Sequence, residues 1–279
     1  MAKPFLKWVG GKTQLLGQFA DILPPQTKIK KYYEPFVGGG AVFFYLEPAE
    51  AVINDLNSHL IYLYRHVKSS LQELIDELEI IQSQYLPLNH EERKNYYYEA
   101  RIKYNKIKTD DSVTKSALLI FLNKTCFNGM YRENPKGEYN IPFGRNNTVA
   151  IFDPAILENA SRVLQQTKIM YGSYKNSLRS AGNGDFVYLD PPYVPLNNTT
   201  ANFTQYVSED FNTRQHDKLK IIFDELEKRG CKVMLSNSDT KLVRSKYKEY
   251  NITPVYANRF VNCKPGGRGK ISELVITNY

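Results

Sequence analysis

Asp190-Pro191-Pro192-Tyr193 follows directly on an apolar run, Phe186-Val187-Tyr188-Leu189. The run has the length and composition of a buried strand. Its carboxyl end is where open α/β sheets hold their ligands. Proline fixes φ near about −65° and removes a backbone donor, so the segment is stiff and the Pro191 carbonyl remains an acceptor. Asp190 supplies a second acceptor and Tyr193 an aromatic face. An exocyclic amino group offers two hydrogens to such a clamp, and the ring that carries it can stack on the tyrosine. The chemistry implied is recognition of a base bearing an NH2.

A second constellation lies near the amino terminus. Pro35-Phe36-Val37-Gly38-Gly39-Gly40 sits where a strand must turn into a helix, and glycine there lets the backbone take left-handed angles and approach a ligand. Asp55 ends the next strand, 15 residues after Gly40. An acid so placed can accept both hydroxyls of a ribose, as in nucleotide-binding folds. Gly11-Lys12-Thr13 ends like a phosphate-binding loop, but that motif requires a glycine five residues before Gly11, and Leu6 stands there. An NTPase is excluded on that ground.

The elements that must position these residues alternate at both ends of the chain. A helix is expected over 10–23, with Leu15, Leu16, Phe19, Ile22 and Leu23 at helical spacing and Pro24-Pro25 as its stop. A short strand over 31–36, the glycine turn, a helix over 41–46 and a strand over 51–53 follow. Long helical runs then occupy roughly 57–68, 70–86, 90–107 and 113–126. Gly129, Asn134-Pro135, Gly137 and Pro142-Phe143-Gly144 bring turn chemistry, read as a β-hairpin-like excursion over 128–145. After Gln166 the alternation resumes with strands at 169–171 and 186–189, a helix over 213–229, a strand over 232–235, a helix near 240–248 and strands near 252–258 and 271–278. The fold class is therefore α/β. The expected organisation is a core of 1–55 plus 167–279, interrupted by a helical domain over 56–166.

Composition narrows the classes. The 279 residues carry a formal net charge of +8, which hints at a polyanionic partner. The 21 tyrosines offer stacking surface. Cys126, Cys231 and Cys263 are far apart and histidines are few, which argues against a zinc site or a disulfide frame and for a reducing cytosol. No metal is expected. No apolar run approaches the roughly 20 residues of a membrane span, and the first residues lack the apolar core of a signal peptide. A cytoplasmic protein away from any membrane, monomeric in solution, is expected.

These motifs carry a family resemblance. Asp190-Pro191-Pro192-Tyr193 looks like the catalytic motif of the amino-methyltransferases, in the form most typical of adenine enzymes. Phe36-x-Gly38-x-Gly40 followed by Asp55 resembles the S-adenosyl-L-methionine site of class I methyltransferases, which have a Rossmann-like core. Leu6-Lys7-Trp8-Val9-Gly10-Gly11-Lys12 is similar to the opening motif of the Dam-type N6-adenine DNA methyltransferases. The order of glycine motif, helical insert and Asp-Pro-Pro-Tyr is that of the α group, whose insert recognises the target sequence. The stretches 122–132 and 137–145 look like the Dam recognition hairpin, whose family pattern acts on the adenine of GATC in duplex DNA.

The resemblance assigns roles by position. Asp190, Pro191, Pro192 and Tyr193 would form the catalytic site, receiving an adenine flipped out of the duplex. Trp8, Lys12, Phe36, Gly38, Gly40, Asp55 and Asp190 would bind S-adenosyl-L-methionine, with Lys12 on its carboxylate. Trp8 taken alone reads more readily as a core residue, and it is the motif that favours the cofactor role; Tyr174, a candidate neighbour of the cofactor adenine, reads equally as a core residue. Arg132 would read a guanine edge, worth about 1–3 kcal/mol of discrimination. Met130 would wedge beside the base pair, Phe127 and Asn128 would support the vacated stack, and Lys7 would touch the first base pair. Family members often carry Tyr where this chain has Phe127 and Leu where it has Met130, and a tyrosine hydroxyl contact with phosphate is lost with the first change. The closing Arg268-Gly269-Lys270 would add basic DNA contacts. The context implied is prokaryotic or phage-type, with a restriction endonuclease as a functional counterpart. Cytosine N4, RNA or protein-glutamine methylation, and a catalytically silent DNA-binding protein, stand as alternatives.

Overall fold

Parallel pairing sets the centre of the molecule. In a computed structural model, which describes residues 1–144, 150–195, 213–258 and 270–279, the strands are β1 (Tyr32–Glu34), β2 (Ala51–Asp55), β3 (Thr167–Tyr171), β4 (Phe186–Leu189), β5 (Lys232–Ser238), β6 (Asn251–Asn258) and β7 (Lys270–Thr277). They form one sheet in the order β3-β2-β1-β4-β5-β7-β6. β1 runs parallel to β2 and to β4, and β4 parallel to β5. β7 pairs antiparallel with both β5 and β6. All four residues of β4 are buried, as a central parallel strand covered on both faces requires. The order reverses between β1 and β4, and such a switch point is where doubly wound sheets bind ligands. The expected α/β, Rossmann-like class is the observed one.

The helices are α1 (Leu16–Phe19), α2 (Ala41–Leu46), α3 (Ser58–Ser69), α4 (Leu71–Tyr85), α5 (His90–Lys106), α6 (Val113–Thr125), α7 (Pro154–Leu164), α8 (Tyr174–Ser177), α9 (Thr213–Lys228) and α10 (Lys241–Lys246). Side-chain caps start several of them: Asn57 accepts from Leu60 N, Ser112 from Lys115 N, and Asn89 forms a reciprocal capping box with Glu92.

Two expectations change. The helix expected over 10–23 is reduced to a 3-10 turn, Thr13–Leu15, and four residues of α1. Gly10 has φ of 77° and Gly11 N donates to Trp8 O, so a tight turn occupies the start. Leu15 and Phe19 are buried as the spacing required. The second change is α7, which the helical runs omitted. Asp153 caps Ala155 N, and Pro154 stands at the first helical position, where its missing N–H costs nothing.

The chain divides into two compact units that alternate along the sequence. One comprises Met1–Gly11, Gly38–Glu47 and Asp55–Gly172; the other comprises Lys12–Val37, Pro48–Asn54 and Ser173–Tyr279. In the first, α6 is buried along most of its length and packs on α4 and α5. Its excursion over 127–144 carries isolated antiparallel bridges, Cys126 with Phe143 and Glu133 with Tyr139, instead of paired strands. Arg145, at the far end of the expected hairpin, lies outside the described residues, as do Arg268, Gly269 and the side chain of Lys270.

Gly40 opens α2 with φ of 69°, and a Cβ there would lie 2.7 Å from the hydroxyl of buried Tyr64. Gly40→Ala should therefore lower stability by about 2 kcal/mol, read as a reduced urea midpoint without cofactor. An unchanged midpoint would show that the turn relaxes freely.

Candidate active site

β4 delivers Asp190 to the end of the sheet, and buried Lys12 meets it: Lys12 Nζ lies 2.8 Å from Asp190 Oδ2. The same ammonium stands 4.9 Å from the centroid of the Tyr193 ring, within cation–π range. The Tyr193 hydroxyl donates to Glu273 Oε2 at 2.8 Å. Beyond the prolines, Val194 N donates to Asn237 Oδ1 at 3.1 Å, and Ser238 Oγ donates to Val194 O at 2.6 Å. The end of β5 thus clamps the backbone that leaves the motif. Pro191 is buried and Pro192 half-buried.

The electrostatics follow from desolvation. Burial raises the Asp190 carboxyl above the ordinary Asp range; Lys12 opposes this by charge and hydrogen bond, the Glu273 charge adds to it, and a Tyr193 hydrogen bond opposes it more weakly. Burial also holds the Tyr193 phenol well above its usual range, reinforced by the charges of Asp190 and Glu273. Tyr193 is therefore a neutral donor at physiological pH. Asp190 is an acceptor more basic than a surface carboxylate.

The glycine turn has its own geometry in the first unit. Asp55 Oδ2 accepts from Gly38 N at 3.0 Å and Oδ1 accepts from Asn57 N at 2.9 Å. Burial raises its pKa against the pull of these backbone donors. A carboxylate has about four lone-pair sites, so this acid can brace the turn and still accept ribose hydroxyls. Gly38 has φ of 47°, and a Cβ on it would come within 2.9 Å of Trp8 Cδ1. The turn and the half-buried indole close on each other at a spacing that only glycine permits. Such a cradle and such a donor set fit a nucleoside cofactor. In the second unit, the Phe36 and Tyr174 rings lie 4.9 Å apart.

The segment over 122–144 is braced by residues that the sequence did not single out. Buried Asn123 accepts from Lys7 N at 3.0 Å and donates to Lys7 O and Gly129 O at 2.9 and 3.1 Å. It ties the segment carrying Lys7 and Trp8 to the loop carrying Asn128, Met130 and Arg132. Tyr131 stacks on Trp8 at 5.1 Å and donates to Glu133. Phe127 is 48 % exposed, Asn128 is exposed with φ of 58°, and Arg132 Nε is held by Asn140 Oδ1 at 2.6 Å. Burial and the neighbouring Lys7 charge depress the Lys124 ammonium, against the pull of the Asp153 charge. An amide buried in a helix gives no signal in sequence; the Lys7–Lys124 pairing requires the fold.

A doubly wound sheet with a glycine turn after its first strand and Asp-Pro-Pro-Tyr at the end of its fourth has the architecture of a class I methyltransferase. Comparison with known proteins makes this specific: residues 8–260 match the family model for D12 class N6 adenine-specific DNA methyltransferase, and the chain belongs to that family. It is 46 % identical over 287 residues to the type II methyltransferase M.MjaIII of Methanocaldococcus jannaschii, covering 99 % of both chains. It is 40 % identical over 283 residues to the type II methyltransferase M1.LlaDCHI of Lactococcus lactis subsp. cremoris, covering 99 % of this chain and 95 % of that one. With the DNA adenine methylase of Escherichia coli K12 it shares 34 % identity over 273 residues, 98 % of this chain and 94 % of that protein. The chain is an adenine-specific DNA methyltransferase, which sets aside the cytosine, RNA, glutamine and silent-binder alternatives. Among the described residues no helix is long and apolar enough to cross a membrane, and no group of three or more His, Cys, Asp or Glu side chains could hold a metal ion.

Lys12→Met would leave the Asp190 charge without its counter-ion, a loss of about 3 kcal/mol near neutral pH. A carboxyl whose folded pKa is raised contributes stability that is full below its unfolded pKa and lost as pH rises through the folded value. Lys12→Met raises the folded value further, so the variant's deficit should narrow as the pH falls towards the ordinary Asp range. Urea unfolding at neutral and mildly acidic pH measures this; a deficit independent of pH would refute the electrostatic account.

Proposed function

We propose that this enzyme transfers a methyl group from S-adenosyl-L-methionine to N6 of adenine in duplex GATC, with the target base flipped into the Asp190-Pro191-Pro192-Tyr193 site. The observation that carries the reading is the Lys12–Asp190–Tyr193 cluster at the end of β4, which gathers an acceptor, a cation and a ring. S-adenosyl-L-methionine supplies an electrophilic methyl group on a sulfonium. Trp8, Lys12, Phe36, Gly38, Gly40, Asp55 and Asp190 would hold it, with Asp55 accepting ribose hydroxyls and Lys12 placed for a carboxylate.

The adenine amino nitrogen is a weak nucleophile because its lone pair is delocalised into the ring. Asp190 and the Pro191 carbonyl accept its two hydrogens and favour the pyramidal geometry of attack. As the N–CH3 bond forms, the sulfonium S–CH3 bond would break, S-adenosyl-L-homocysteine would leave and the nitrogen would shed one proton; Asp190 and the Pro191 carbonyl contribute orientation and charge stabilisation to that step. Extrusion of the base costs a few kcal/mol, and stacking on Tyr193 returns roughly 1–3 kcal/mol. In the helical domain over 56–166, Arg132 reads a guanine edge, Met130 wedges, and Phe127 and Asn128 fill the vacated stack; Lys7, from the amino-terminal segment, contacts the first base pair. Lys124 joins Lys7 in seeking a backbone phosphate. Relatives named type II methyltransferases support a role beside a restriction endonuclease, in a cytoplasmic, monomeric enzyme.

Tritiated methyl transfer to duplexes identical except for GATC against GTTC tests the reading. Label recovered as N6-methyladenine from the GATC duplex alone is expected. Label in both duplexes would remove the hairpin assignment, and label in neither would remove the substrate. Asp190→Ala should keep duplex binding and lose kcat by at least about 100-fold; wild-type turnover would sink the site. Asp190 works ionised and burial raises its pKa, so the acid limb of kcat/KM, which reports the free enzyme, should lie above the ordinary Asp range.

A further inference from the structure

A second carboxylate belongs to this cluster and has no part in the clamp on the amino group. Glu273 lies on β7, in register opposite Ser238 of β5, and its Oε2 accepts the Tyr193 hydroxyl at 2.8 Å. β5 and β7 therefore divide the task of holding the motif. Asn237 and Ser238 at the end of β5 fix the backbone at Val194, which leaves the Tyr193 side-chain torsions open. The bond to Glu273 removes that freedom. It sets the ring from its far end, while Lys12 stands over the face. A stacking platform contributes to rate only when its plane matches the reacting geometry, and small misplacements cost heavily.

We propose that Glu273 is a positioning residue for methyl transfer, fixing the plane of the Tyr193 ring on which the target adenine stacks. The inference rests on the reading of Asp190-Pro191-Pro192-Tyr193 as the adenine site. Glu273 acts through the Tyr193 hydroxyl and touches neither base nor methyl donor. Its charge has a second effect, because it raises the Asp190 carboxyl alongside burial and against Lys12. Positioning and charge are separable by substitution. Glutamine keeps an acceptor oxygen for the tyrosine and removes the charge; alanine removes both; Tyr193→Phe removes the donor and keeps the ring.

The test uses the full-length enzyme with a GATC duplex, and with the same duplex carrying 2-aminopurine in place of the target adenine. Glu273→Ala and Tyr193→Phe should each lower kcat about tenfold with KM for DNA within about twofold, and should blunt the 2-aminopurine fluorescence change. At a pH above the acid limb, the double variant should fall well short of the product of the two single losses, because both substitutions remove the Tyr193–Glu273 bond. Glu273→Gln should recover at least half of the wild-type kcat while moving the acid limb of the profile to lower pH. Multiplicative losses in the double variant, or wild-type kcat in Glu273→Ala, would overturn the proposal. So would a Gln variant as slow as the Ala variant. Should Glu273→Ala fail to fold, the nearly isosteric Gln and Phe variants still decide the matter. If Asp190→Ala retained transfer, the adenine-site reading itself would fall; if Asp190→Ala were dead and Glu273→Ala fully active, only the role of Glu273 would.

Discussion

Taking an ammonium and a carboxylate out of water is costly, and either of them alone at the end of β4 would be intolerable. Lys12 and Asp190, 2.8 Å apart, make the burial bearable only together. The surrounding geometry follows from that demand. Lys12 opens the 3-10 turn that replaces part of an expected helix, and Asp190 can leave β4 only along the line that two prolines allow. Tyr193 covers the cation with its ring, and Glu273 takes up the phenol. The end of β4 is thus built around one ammonium, two carboxylates and a phenol that hold one another in place.

The glycine turn meets the same problem by a different route. The Asp55 carboxylate is held by backbone N–H groups of Gly38 and Asn57, where Asp190 is held by an ammonium. The result is an acid at the end of β2 that shapes the turn after β1, so turn and carboxylate are one object. Trp8 then fits against Gly38 so closely that any side chain there would collide.

What was legible in the sequence is what is local. The Phe186–Leu189 run, the Gly38-Gly39-Gly40 turn and the helical runs from 57 to 126 each carry their own period or punctuation, and the observed elements agree with them within a few residues. The helix expected over 10–23 failed because apolar spacing at Leu15 and Phe19 was real, while Gly10 and Gly11 had already committed the backbone to a turn. Asp153-Pro154 did carry a start signal for α7, an N-cap followed by proline at the first helical position. The partners of the candidate site were not legible. Asn123 sits 116 positions from Lys7, and Glu273 stands 80 positions from Tyr193. Neither pairing leaves a mark on the residues between.

The place of β7 has a consequence for how the molecule is made. β7 follows β6 in the chain yet lies between β5 and β6 in the sheet. During synthesis β5 therefore waits with an open edge, and β6 emerges with no neighbour to join. An unpaired edge is a template for mispairing with other chains, so the interval before β7 arrives is the one in which the nascent protein most needs shielding. The strand that closes that edge also brings Glu273. Completion of the sheet and delivery of the last carboxylate to the cluster are a single event, and a chain interrupted before it would carry the motif without the residue that holds its tyrosine.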